Sequence, residues 1–211
     1  MTNAARTLCL LLVEALHQAG LTAQADTLGR ALDSATGGCA DRSQTSPATV
    51  PYDVAARYYQ AALISALADV GVGLAEALSP LTRSFRWTQT DTYVRSPPHE
   101  HFLQRYAHAT ILGSMPDTAV IVDGSRTAAV GVLLLGPGNQ YPHHQHYADE
   151  VYVPLTHAKW SSGTDQPYVD RAPGIPLHHE SLLPHSMHTD DNPLLSLYLW
   201  TGDTTTSAWL C

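Results

Sequence analysis

Apolar residues near the start of the chain recur with helical spacing. Leu8, Leu11, Leu12, Ala15 and Leu16 fall at i, i+3, i+4, i+7 and i+8, with Gly20 as a stop, which predicts a helix over 4–18. A second helix is expected over 23–34. Residues 34–51 are rich in Gly, Ser, Thr and Pro and read as a loop. From Val54 to Leu78 the sequence is rich in Ala and Leu, with Ser79-Pro80 ending the run and Gly71 and Gly73 placed to divide it. Phe85–Val94 alternates and reads as a strand. Pro97-Pro98 before His99–Leu112 predicts a third, shorter helix. From Thr118 onward the texture changes to TAVIVDG, TAAVGVLLLG, EVYVPL and LLSLYLW, short β-rich runs separated by Gly, Pro, Asp and Asn. The expected organisation is a helical N-terminal extension over 1–80 packed on a β-barrel or sandwich over 81–211.

Composition narrows the class. A chain of 211 residues with 44% hydrophobic and 14% charged residues is neither disordered nor a coiled coil. A net charge of −8 and a single Lys, Lys159, argue against a nucleic-acid partner. No apolar run approaches the roughly 18 residues of a membrane span. Thr7–Val13 is interrupted by Glu14 and His17, so it reads as part of an amphipathic helix rather than a signal peptide, and a cytoplasmic setting is expected. Cys9, Cys39 and Cys211 are odd in number and scattered, which fits neither a disulfide framework nor a thiolate zinc site.

Histidine carries the chemistry. Of 12 in the chain, eight lie between 143 and 188. His144 and His146 are two apart, so on an extended strand both imidazoles point to one face. Glu150 follows after a bend at 147–149, and Pro184-His185-Ser-Met-His188 offers a fourth ligand in His185 or His188. Three imidazoles and a carboxylate suit one divalent transition metal, with Zn, Fe(II), Mn, Ni and Co all acceptable. Tyr152 shares a strand face with Glu150, and a nearby cation lowers a phenol's pKa, so a tyrosinate base is reasonable. His143 should face away from the pair, Tyr147 should lie in the turn, and His157 is assigned no role. His178, His179 and Glu180, after Pro176, read as a surface turn. His99, His101 and His108 are expected in packing or surface roles on the third helix. Tyr198 has the parity of Trp200 and so faces pocket or core, and Trp87, Trp160 and Trp209 are expected to pack the barrel.

The spacing of Gly138, His144, His146 and Glu150 matches the first cupin motif, and Pro184–His188 resembles a degenerate second one. The chain departs from the general pattern at Thr156-His157, where a Gly is usual, and lacks the second motif's internal Gly. Tyr141-Pro-x-His-x-His-x-x-x-Glu-x-Tyr152, Trp160, Pro184-His185-x-Met187 and Leu195-x-Leu-Tyr-Leu-Trp200 together resemble the cupin-type dimethylsulfoniopropionate (DMSP) lyases, nearest their DddQ and DddL branches. The resemblance implies an antiparallel, jelly-roll-like double-stranded β-barrel and His185 as the fourth ligand. It implies β-elimination of DMSP to dimethyl sulfide and acrylate. Tyr152 is then the base, with Tyr141 its rival. Tyr141, Trp200 and Tyr198 would hold the sulfonium, since aromatic faces bind such cations. The competing classes are another mononuclear cupin metalloenzyme, a dioxygenase or isomerase, and a non-catalytic cupin binding module. The expected partner is the small-molecule substrate, with neither nucleic acid nor membrane, in a monomer or homodimer.

Overall fold

A computed structural model describes residues 2–37, 50–69 and 73–211. Helices α1 (Thr2–Gln18), α2 (Thr22–Ser34), α3 (Val50–Asp69) and α4 (Leu74–Leu78) come first. The loop expected between α2 and α3 and the break expected at Gly71 fall largely outside the described residues. Gly73 directly precedes α4, and a 3-10 turn over Ser79–Ser84 follows it. The stop after α1 is built as the sequence reads. Gly20 takes φ +78, its N–H bonds to the His17 carbonyl, and the Leu21 N–H bonds to the Leu16 carbonyl.

Among the described residues, the strands form two sheets. The larger runs β1 (Thr36–Gly37), β3 (Ile121–Val122), β2 (Tyr106–Gly113), β4 (Ala128–Leu135), β11 (Leu194–Thr201), β6 (Asp149–Pro154) and β9 (Leu177–His179). The smaller runs β12 (Trp209–Leu210), β5 (Gln140–Gln145), β10 (His185–His188), β7 (Ala158–Ser162) and β8 (Val169–Arg171). Pairing is antiparallel except between β2 and β3. This is the mainly β, double-sheet barrel that the sequence predicts, with helices at its N-terminal side.

Two segments differ from their sequence reading. The helix expected over His99–Leu112 is a strand, β2, after a 3-10 turn at Leu103–Arg105. Ala107, Ala109 and Ile111 face the helices in one buried cluster, while Tyr106 belongs to the other cluster and His108 and Thr110 line the barrel cavity. A strand covered on both faces has no polar side, and its alternation is masked. The strand expected over Phe85–Val94 makes one isolated bridge, Thr88 to His108, and then turns into helix α5 (Asp91–Arg95). Its alternation arises because Phe85 and Trp87 are buried with Tyr59 in an edge-to-face aromatic group.

The larger sheet divides two apolar environments. Its outer side chains, including Val130, Val132, Leu134, Val151, Val153, Leu197 and Leu199, share one core with the helices. Its inner side chains, among them Tyr152, Leu133 and Tyr198, pack with Tyr141, Trp160 and Met187 of the smaller sheet. Register sets the inner surface row by row: Tyr152, Tyr198, Gly131 and Thr110 lie abreast across β6, β11, β4 and β2. Gly131 gives the Tyr198 ring its place. A Cβ there would stand 2.3 Å from the ring and 2.5 Å from the Ala109 carbonyl oxygen. Gly131→Ala is therefore expected to destabilise the fold by about 1–3 kcal/mol through overpacking. Chemical denaturation measures it, and an unchanged midpoint would contradict the packing described.

Candidate metal centre

The chain changes sheets at the corner 146–148. His144 lies on β5 in the smaller sheet and Glu150 on β6 in the larger, so the short connection aims the two side chains at each other across the barrel. His185 on β10 is the direct cross-strand partner of His144. The HxH spacing, the corner and that register bring the donor atoms of His144, His146 and His185 together, with the Glu150 carboxylate against His146 and His185. All four are at most 2% exposed.

The Glu150 Oε2 atom lies 2.7 Å from His146 Nε2 and 3.1 Å from His185 Nε2. The opposite ring nitrogens are spoken for: Nδ1 of His144, His146 and His185 bonds the carbonyls of Pro142, Ala148 and Leu183 at 2.9, 3.0 and 2.9 Å. A carbonyl accepts only, so each Nδ1 carries a proton, and in the neutral ring Nε2 presents a lone pair inward. Three inward lone pairs and a carboxylate are a donor set for a divalent transition ion. His185 Nε2 is buried without a hydrogen-bond partner, a cost that an ion at this point removes. The residues fit a metal.

Electrostatics agree. Burial pushes the Glu150 carboxyl upward, but His146 and His185 against it hold it well below the ordinary carboxylate value. Burial lowers His146, and the Glu150 carboxylate more than offsets this and raises it. Burial and the neighbouring His185 imidazole drive His144 well below its usual value, so it is neutral and ready to ligate.

A second set of donors, Glu150, His179 and His185, also lies close together. His179 is fully buried on β9, directly opposite Glu150, where the sequence reading expected a surface turn. Its Nε2 meets Ser162 Oγ at 3.0 Å, and its Nδ1 has no partner. The rings of His179 and His185 are stacked at 4.3 Å and 7°. His179 therefore packs flat on His185 beside Glu150. His188, the other residue considered for the fourth ligand, is half-buried and pairs with Asp190 at 3.4 Å, away from the centre. His143 faces outward to Ser161 and Ser186, both at 3.3 Å.

A cavity of about 290 Å³ reaches the centre at Glu150, walled by Tyr106, Tyr141, Tyr152, Tyr198 and Trp200. Tyr141 lies flat on His144 at 3.9 Å and 5°, with its hydroxyl on Tyr93 at 3.2 Å. Burial and the nearby Glu150 carboxylate hold the Tyr152 phenol well above the ordinary value. The Trp200 indole N–H donates to Glu150 Oε1 at 2.6 Å, so its polar group serves the carboxylate while its ring lines the cavity. Tyr106 and His108 are wall residues that sequence reasoning missed, because it placed both on a helix.

A family model described as dimethylsulfoniopropionate lyase matches residues 28–196. The chain belongs to the DMSP lyase family. It is 32% identical over 116 residues to dimethylsulfoniopropionate lyase DddQ of Ruegeria pomeroyi; the match covers 55% of this chain and about half, 55%, of that relative's length. The crystal structure of DMSP lyase DddQ from the same species superposes with a TM-score of 0.63 and 25% identity, covering 96% of this chain and 95% of that one. A second structure, described with the DMSP lyases RdDddP and RnDddQII, shares the fold, with a TM-score of 0.65, 22% identity and full coverage of both chains. Among the described residues, no helix is long and apolar enough to cross a membrane.

His185→Ala is expected to abolish stoichiometric binding of added zinc, whereas His188→Ala should bind as the unaltered protein does. Metal analysis after gel filtration reads both, and the reverse pattern would move the fourth ligand to His188.

Proposed function

We propose that this protein is a metal-dependent lyase that cleaves DMSP to dimethyl sulfide and acrylate at the cavity beside Glu150. The observation that carries the reading is that Glu150, set against His146 and His185, lines an aromatic-walled cavity together with Tyr152; membership of the family supports the substrate. Residues 1–80 are then a helical extension to a barrel of 81–211.

The α-proton of DMSP is only weakly acidic, because the adjacent carboxylate is already negative. His144, His146, Glu150 and His185 would hold a divalent ion, which would supply positive charge to offset this carboxylate and the charge building on it in the transition state. The protein's own groups do the rest. Once its own phenolic proton had been released to water, which a cation held beside it would favour, Tyr152 would accept the α-proton on its phenolate oxygen. The C–H electron pair becomes the new C=C bond, the C–S bond breaks, and dimethyl sulfide leaves neutral, so no general acid is needed. Tyr152 and Glu150 both line the cavity, which puts the phenol oxygen beside the donor cluster. Ligand imidazoles and carboxylate are poor bases, their lone pairs being committed. The faces of Tyr141, Tyr198 and Trp200 receive the sulfonium. Tyr141 is the weaker candidate for base, since its hydroxyl is engaged by Tyr93 and its ring lies on His144.

Metal-loaded protein should release dimethyl sulfide from DMSP into the headspace and lose that activity with chelator. Tyr152→Phe is expected to lower turnover by about 10²–10⁴-fold with metal content retained. Tyr141→Phe should chiefly raise KM. If Tyr152→Phe turns over normally and Tyr141→Phe is dead, the two roles are exchanged; if the unaltered, metal-loaded protein releases no dimethyl sulfide, the substrate is wrong.

A further inference from the structure

Glu150 has two oxygens with separate partners. Oε2 is the atom facing His146 and His185, whereas Oε1 accepts the Trp200 indole N–H at 2.6 Å. Trp200 and Glu150 stand directly opposite in the β11–β6 register, both pointing into the barrel. The indole cannot swing away easily, because its ring packs on the His146 imidazole at 4.5 Å and 39°. One flat side chain therefore contacts two of the four donors and hydrogen-bonds only the oxygen turned from the donor cluster. Such a short bond to a charged acceptor is among the stronger kinds.

We propose that Trp200 is a positioning residue that keeps Glu150 a one-oxygen ligand, so that the ion retains an open coordination position facing the cavity. A carboxylate beside a divalent ion readily turns to offer both oxygens, which fills the shell. The indole N–H opposes that turn by occupying Oε1. With three imidazoles and one oxygen bound, a position would remain for an anionic oxygen of a small carboxylate entering through the cavity that Glu150 lines. That occupant rests on the lyase reading; the effect on Glu150 does not.

The test uses the full chain loaded with zinc and requires no turnover. Trp200→Phe keeps an aromatic ring at this position and removes the N–H with the five-membered part of the indole. X-ray absorption at the zinc edge should show the variant gaining one oxygen donor relative to the unaltered protein. Zinc affinity by chelator competition should change, and loss of a ligand's supporting partner typically costs about 10–100-fold. An unchanged coordination shell in Trp200→Phe overturns the proposal whatever its affinity. Should that variant fail to fold, exchange of the Trp200 indole proton in the zinc-loaded, unaltered protein decides. Strong protection supports the proposal, and free exchange with water overturns it. Failure of the lyase reading would show separately, as absence of dimethyl sulfide from the unaltered protein.

Discussion

The centre of this protein is a carboxylate with almost no water around it. Glu150 is 1% exposed inside an aromatic barrel, and an ionised carboxyl there costs several kcal/mol unless its charge is met. Without metal, His146 meets it by sharing a proton across 2.7 Å, and Trp200 meets the other oxygen. An ion bound there would take the proton's place, so that metal binding would release a proton. The arrangement is stable in either form because every other nitrogen of the three imidazoles is already tied to a carbonyl.

The rest of the fold secures that point. The two sheets supply donors from opposite walls, and the corner after His146 is short enough to fix their separation. Helices cover the outer face of the larger sheet, which frees its inner face from carrying the main core. That inner face is given to phenols, an indole and one glycine. Gly131 lets Tyr198 lie across β4 and leaves the cavity its depth. At the far edge, Gln24 of α2 reaches Asp149 at 3.0 Å, and Asp149 also pairs with His178 at 2.9 Å. The helical region is thereby tied to the residues next to Glu150 and His179.

Much of the centre was legible in the sequence because its geometry is local. An i, i+2 pair on a strand shares a face, and a three-residue bend brings a carboxylate back to it. His185 was legible only through resemblance, since the register that sets it against His144 joins strands some 40 residues apart. His179 was not, because β9 is three residues long and its HHE sequence after Pro176 has the polarity of a turn. Tyr106 and His108 were lost for another reason: a strand buried on both faces shows no polar side, and Pro97-Pro98 imitates a helix start. The role of Trp200 toward Glu150 belongs to cross-strand register, which local spacing does not encode.

Zinc-edge anomalous diffraction from crystals grown with zinc locates the ion without reference to activity. The account predicts one strong peak surrounded by Nε2 of His144, His146 and His185 and by Oε2 of Glu150, at about 2.0–2.2 Å from each. A peak placed instead among Glu150, His179 and His185, or no peak at the barrel centre, would contradict it.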